Sequence, residues 1–195
     1  MSKDKDFSRI PIEISNRHIH ISETDFKKLF GNANLEVKRE LSQPGQFAAE
    51  QTLILANGDR KIENVRIVGP FRSETQIELS VSDCRALGIT PYFSLSGTLD
   101  GSPGITLEGP VDSISLKQGV IVALPHIHMS TEEAKSFGFN HLDKVIAVVK
   151  GARTVSFHDV VIRTREGVDS LAFHIDVDQA NAVGNISEAK IVSIS

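Results

Sequence analysis

Two histidines on alternate residues occur twice in this chain, His18 and His20 in NRHIHIS and His126 and His128 in LPHIHMS. These two stretches hold four of the seven histidines. Residues i and i+2 of a helix point about 200° apart, whereas on an extended strand they leave the same face and can hold one ion together. Each pair therefore reads as half of a metal site. An isolated histidine is ordinarily a surface or hydrogen-bonded side chain, and what reverses that reading here is that the surroundings repeat along with the pair.

The elements that must position the histidines are legible on either side. The first pair follows the extended run Pro11-Ile-Glu-Ile-Ser15 and the second follows Gly119-Val-Ile-Val-Ala-Leu124, both rich in β-branched residues. After each pair comes a helix start, Ser22-x-x-Asp25 and Ser130-x-x-Glu133, in which the serine can cap free amides and the acid faces the helix dipole. The repeat unit is strand, His-x-His, capped helix. It predicts two related halves, with the pairs meeting between two lobes.

Alternating apolar and polar residues predict further short strands at 53–55, 61–68, 76–79, 145–149 and 159–163, punctuated by Asn57-Gly58, Gly69-Pro70, Gly101, Gly109-Pro110 and Gly151. Helices are expected only after Ser22, Ser80, Ser130 and Asp176. Many short strands with few covering helices must close or stack to remove their edges, so the predicted fold class is mainly β, two small β-barrels capped by short helices. A TIM barrel, another home for strand-borne His-x-His, needs roughly 250 residues and eight regular helices; this chain has 195 residues.

Composition sets the remaining bounds. At 40% hydrophobic and 24% charged residues the chain is an ordinary globular protein. Its net charge of −4 argues against a nucleic-acid partner, which would require a basic surface. The single cysteine, Cys84, excludes an intramolecular disulfide and cysteine-rich zinc motifs, so any metal must be held by histidine and carboxylate. Cys84 itself reads as a small buried residue of a capped helix ending at Gly88. The first residues, MSKDKDFSRI, carry no apolar signal region, and no run is long enough to span a membrane, so cytoplasmic residence is expected.

Longer motifs carry a resemblance. SNRHIHIS, LSQPGQFAAEQT, NVRIVGPFRSETQIELSVSDCRALGI, SGTLDGSPGITLEGP, PHIHMS and FHIDVDQANA resemble the PduL-type phosphate acyltransferases over nearly the whole chain. The resemblance implies a first barrel domain over 16–123 and a discontinuous second one made of 1–15 and 124–195. It implies two zinc ions and reversible acyl transfer between coenzyme A and phosphate, with acyl-CoA, phosphate and acyl phosphate as the small-molecule partners. A homodimer is expected on the same ground.

By the same resemblance, His18, His20 and Glu78 hold the first zinc, whose fourth position takes the CoA sulfur. His126, His128 and His174 hold the second, with water or phosphate. Pattern alone would leave Glu78, in the alternating run Gln76-Ile-Glu-Leu79, facing solvent, and would leave His174 ambiguous. Arg72, after the Gly69-Pro70 turn, is expected on the transferred phosphate, where a guanidinium fork can bind two oxygens and stabilise developing charge. Ser96 is a weaker phosphate residue. Ser15, Asn16, Arg17, Arg66 and Asn181 are implied for CoA binding, against an alternative in which each is a solvated or capping residue.

Two rival classes remain open at this point: a zinc-dependent hydrolase using the same ligands to activate water, and a non-enzymatic CoA- or metal-binding module. Acetyl and propionyl groups differ by one methylene, worth only about 1–3 kcal/mol in an apolar pocket, and no pocket wall is legible. A bacterial microcompartment is an alternative location, although the short N-terminus shows no evident encapsulation helix.

Overall fold

Strands make the frame. The computed structural model describes residues 9–165, 169–184 and 188–194. In chain order come β1 (Ile10–Ser15), β2 (His18–His20), α1 (Glu23–Phe30), β3 (Val37–Glu40), β4 (Phe47–Asn57), β5 (Arg60–Gly69), β6 (Gln76–Glu78) and α2 (Val81–Leu87). They are followed by β7 (Phe93–Ser94), β8 (Ile105–Glu108), β9 (Ser113–Leu116), β10 (Val120–Ala123) and β11 (His126–Met129). The chain finishes with α3 (Thr131–Phe137), β12 (Lys144–Val149), β13 (Val155–Thr164), β14 (Ala172–Asp176), α4 (Val177–Val183) and β15 (Glu188–Ile194).

These elements form two compact units. One comprises β1 and the chain from Leu124 onward; the other is Asn16–Ala123. In the first, six strands close into a barrel in the order β1-β14-β11-β13-β12-β15. In the second, a curled nine-stranded sheet runs β7-β10-β6-β2-β5-β4-β8-β9, with β3 paired to β4 off this path. One unit thus removes its edges by closure, while the other remains a half-barrel.

The two sheets share one arrangement around their histidine strands. β2 lies parallel to β5 and antiparallel to β6, and β11 lies parallel to β13 and antiparallel to β14. The next strand outward is β10 beside β6 and β1 beside β14, each parallel to its neighbour. In sequence, however, β1 precedes β2 and β10 precedes β11. Each strand leading into a histidine pair belongs to the sheet that holds the other pair, so the halves are built by exchanging their leading strands.

All four helices begin where cap chemistry directs. Ser22, Ser80, Ser130 and Asp176 are extended N-caps whose side chains accept the backbone N–H of Asp25, Asp83, Glu133 and Gln179. The last three are reciprocal capping boxes. α2 and α3 stop at Gly88 and Gly138, left-handed at φ 69° and 79°, where a Cβ would be strained. Each short helix buries its inner residues: Phe26 and Leu29 from α1, Cys84 and Leu87 from α2, Ala180 and Val183 from α4. Full burial of a Leu or Phe side chain is worth about 1.5–3 kcal/mol, which holds elements too short to be helical alone.

Candidate metal centres

On β2, strand alternation sends Ile19 into the core, fully buried, and leaves His18 and His20 together on the opposite face. β11 repeats this with Ile127 buried between His126 and His128. Sheet register then supplies a third candidate ligand. On the antiparallel neighbour, Glu78 stands opposite His18, and His174 stands opposite His126. The sets His18–His20–Glu78 and His126–His128–His174 each bring three ligand atoms within 4.8 Å of one another.

The nitrogens are already sorted for metal. In the first set, His18 Nδ1 faces the Asn16 carbonyl at 2.8 Å and His20 Nδ1 faces the Val68 carbonyl at 3.2 Å. A carbonyl only accepts, so each Nδ1 carries the hydrogen and each Nε2 presents a lone pair. Those two Nε2 atoms are 3.1 Å apart. The second set repeats this: His126 Nδ1 faces the Leu124 carbonyl at 2.7 Å, His128 Nδ1 faces Asp169 Oδ1 at 3.0 Å, and their Nε2 atoms are 3.1 Å apart. Bare lone pairs turned on each other repel unless a cation lies between them, and an ion about 2.0–2.1 Å from each nitrogen spans that gap. In the first set, Glu78 oxygens stand 3.7 Å from both Nε2 atoms. In the second, His174 Nε2 is buried without a hydrogen-bond partner among the described residues; a Glu13 carboxylate oxygen approaches it to 2.9 Å, but outside hydrogen-bonding geometry. Neutral imidazole and carboxylate with no thiolate suit zinc, and the residues fit the implied ions.

Electrostatics keep His20, His126 and His128 neutral. Burial, then the neighbouring His18 and the Arg72 guanidinium, pushes His20 well below its ordinary value. Burial, then His128 and His174, drops His126 to about 3. Burial also lowers His128, opposed by its hydrogen bond to Asp169. Burial would by itself raise the Asp169 carboxyl, but hydrogen bonds from His128 and Arg165 outweigh it and hold it at about 2. A neutral ligand pair is what a divalent ion requires, since protons compete for the same lone pairs.

Beside the first set lies a polar network. Arg72 donates from Nη1 to Ser96 Oγ at 3.0 Å, and its backbone N–H is tied to the Ile21 carbonyl at 2.9 Å. Gln76, 1% exposed, stands opposite His20 in the sheet and bonds Glu78, Ser96 and Gly97. Sequence reasoning assigned Arg72 and Ser96 but missed Gln76. The available signal was its place two residues before Glu78, on the same face of β6. The reasoning also missed Asp169, whose fully buried side chain receives His128 and a forked Arg165 at 2.8–3.3 Å. No local pattern marks that residue.

The residues expected at CoA take diverse positions. Arg66 lies opposite His18 on β5 but turns its guanidinium to the carbonyls of Ala49 and Glu50, at 2.8 and 2.9 Å. Arg17 pairs with the buried Asp83 at 2.7 Å, tying the β2 approach to the cap of α2. Asn16 contributes its carbonyl to His18, Ser15 ends β1, and Asn181 is exposed on α4, where its carbonyl accepts from Arg153. Cys84 is buried and, as the single cysteine of the chain, forms no intramolecular disulfide. Among the described residues no helix is long and apolar enough to cross a membrane.

Comparison with known proteins returns one family, described as phosphate propanoyltransferase, matching residues 11–186. A phosphate propanoyltransferase of Rhodobacter capsulatus is 46% identical over 189 residues, covering 96% of this chain and 87% of its own. One of Escherichia fergusonii is 47% identical over 176 residues, 90% and 83% of the two chains. A third, of Salmonella typhimurium, is 44% identical over the same span and shares.

Proposed function

Because this chain belongs to the phosphate propanoyltransferase family, and is thus a phosphate acyltransferase, we propose that it interconverts a short-chain acyl-CoA plus phosphate with an acyl phosphate plus CoA, using two zinc ions. The observation that carries this reading is that a three-ligand metal set and an arginine–serine donor pair belong to one hydrogen-bond network, through Gln76. A metal for sulfur and a cationic fork for phosphate are two devices that suit a thioester–phosphate exchange.

Zinc, when bound, supplies a Lewis acid that favours the thiolate form of CoA at His18–His20–Glu78 and polarises phosphate oxygen at His126–His128–His174. The protein does the rest by holding groups in place. Arg72 and Ser96 bind phosphate and orient one oxygen toward the acyl carbonyl. A bond forms from that oxygen to the carbonyl carbon, the carbon–sulfur bond breaks, and its electron pair departs on the CoA sulfur. No covalent bond to the protein forms. Arg72 stabilises the charge gathering on the carbonyl and phosphate oxygens in the transition state. The same groups serve the reverse direction.

Ser15, Asn16, Arg17, Arg66 and Asn181 belong to the proposal as CoA contacts, as do a homodimer and cytoplasmic residence. The test is thioester formation from CoA with propionyl or acetyl phosphate, followed by absorbance before and after chelation and on zinc restoration. Activity lost with chelator and recovered with zinc is the expected result. Fully zinc-loaded protein that consumes acyl phosphate without making thioester would establish the hydrolase instead, and one that does neither would reduce the site to a binding module.

A further inference from the structure

Gln76 occupies a position that neither the family's name nor the ligand sets assign. Its amide orientation is fixed by its surroundings. Oε1 accepts the Gly97 backbone N–H at 2.7 Å, and a backbone N–H can only donate. Nε2 therefore faces the other way, donating to Glu78 Oε1 at 2.6 Å and to Ser96 Oγ at 2.8 Å. With 1% of the residue exposed, no water competes for these bonds.

The consequence for Ser96 is one of polarity. Its Oγ accepts from Gln76 Nε2 and also from Arg72 Nη1 at 3.0 Å. Both neighbours are donors only at these atoms, and together they fill both acceptor positions of the hydroxyl. The one hydroxyl hydrogen has to point out of the network, as a donor. The consequence for Glu78 is one of aim: with Oε1 held by the amide, the carboxylate cannot rotate away from His18 and His20.

We propose that Gln76 is a positioning residue that orients Glu78 for the first metal and forces Ser96 to donate to the phosphate held by Arg72. One buried amide thereby sets a metal ligand and an anion contact together. This rests on the phosphotransacylase reading for its phosphate half and on the ligand geometry alone for its metal half.

Two variants separate the halves. Gln76→Met keeps length and removes both donors; in a zinc titration against a chromophoric chelator, one of the two ions should bind about 10–100-fold more weakly while the other keeps its affinity. Gln76→Glu keeps the Gly97 contact but turns an acceptor toward Ser96, whose hydroxyl then donates inward. In zinc-saturated protein the KM for phosphate should rise about tenfold, with the KM for acyl-CoA within about twofold, as expected for loss of one hydrogen bond. In a Ser96→Ala background the Gln76→Glu change should add nothing further to the phosphate KM. If Gln76→Met does not fold, Gln76→Glu serves for the metal as well, because two carboxylates at that contact share a proton which zinc has to displace, and the same single ion is again the weaker.

Unchanged affinities for both ions, or a phosphate effect of Gln76→Glu that persists in full without Ser96, would overturn the assignment. The zinc titration needs no turnover, so it reads Gln76 even if the unmodified protein transfers no acyl group. Conversely, an active parent enzyme with unmoved Gln76 variants sinks this inference and leaves the phosphotransacylase reading standing.

Discussion

Asp169→Asn is the change whose effects the structure separates most sharply. Asparagine keeps the shape and can still accept from His128 Nδ1, so what disappears is the charge. That charge sits on a side chain with no solvent exposure, 3.0 Å from His128 and 2.8 Å from Arg165. It raises the proton affinity of His128 against the depression caused by burial, and the same electron donation strengthens the imidazole as a metal ligand. Removing an outer partner of this kind costs roughly 10–100-fold in metal affinity, or about 1.4–2.7 kcal/mol at 1.36 kcal/mol per tenfold. Stability should fall less. Arg165 loses a charge-assisted partner, but with its side chain 40% exposed, water compensates most of the loss, leaving about 1 kcal/mol, or a melting point lower by about 2–4 °C for a chain of this length. The assay is zinc competition against a chelator, resolved into two ions, beside thermal unfolding of the zinc-free protein. One ion should weaken and the other hold. A lowered melting point with both zinc affinities intact would show that Asp169 is only a structural anchor for Arg165, and would refute the argument.

Arg72→Ala should lower kcat/KM by about 10²–10³, the cost of one oxyanion donor, while the protein still binds two zinc ions; a metal-free variant would undo the assigned role. Acid should destabilise the zinc-free protein in a defined window. The folded value of His126, about 3, lies below its ordinary 6.5, so the unfolded chain takes up the proton first, and stability present above 6.5 is lost as pH falls toward 3. Asp169, at about 2 against an ordinary 3.8, adds a loss in the same direction below 3.8. A denaturation midpoint that stays level from about pH 7 to about pH 4 would contradict neutral buried imidazoles. Phe173→Ala removes a fully buried ring that neighbours His174 on β14 and meets Phe157 edge-on, and should cost about 3–5 kcal/mol in urea unfolding; a loss under about 1 kcal/mol would mean that the barrel core repacks around the gap.

Much of this protein is legible one segment at a time. The period of two places His18 with His20 and His126 with His128 on common faces, because a strand turns each side chain through half a circle whatever it packs against. Serine or aspartate three residues before an acid or amide starts each helix, because the contacts that cap it lie within one turn. Glu78 shows where such reasoning ends. An alternating run predicts an exposed glutamate, yet all three residues of β6 are buried, covered on either side by β2 and β10. Burial of that kind depends on the strand's neighbours, and the strand's own letters carry no record of them.

The sequence by itself determined the fold class, the two histidine pairs, the four helix starts and, through its long motifs, the family. Only the tertiary structure decided that the leading strands are exchanged, that register sets Glu78 opposite His18 and His174 opposite His126, and that Gln76 and Asp169 hydrogen-bond Glu78 and His128. The physical reason is range. Strand alternation and helix caps are settled over two to four residues, whereas Asp169 reaches His128 across 41 positions and Gln76 reaches Ser96 across 20, separations that only the assembled sheets and their loops bring together.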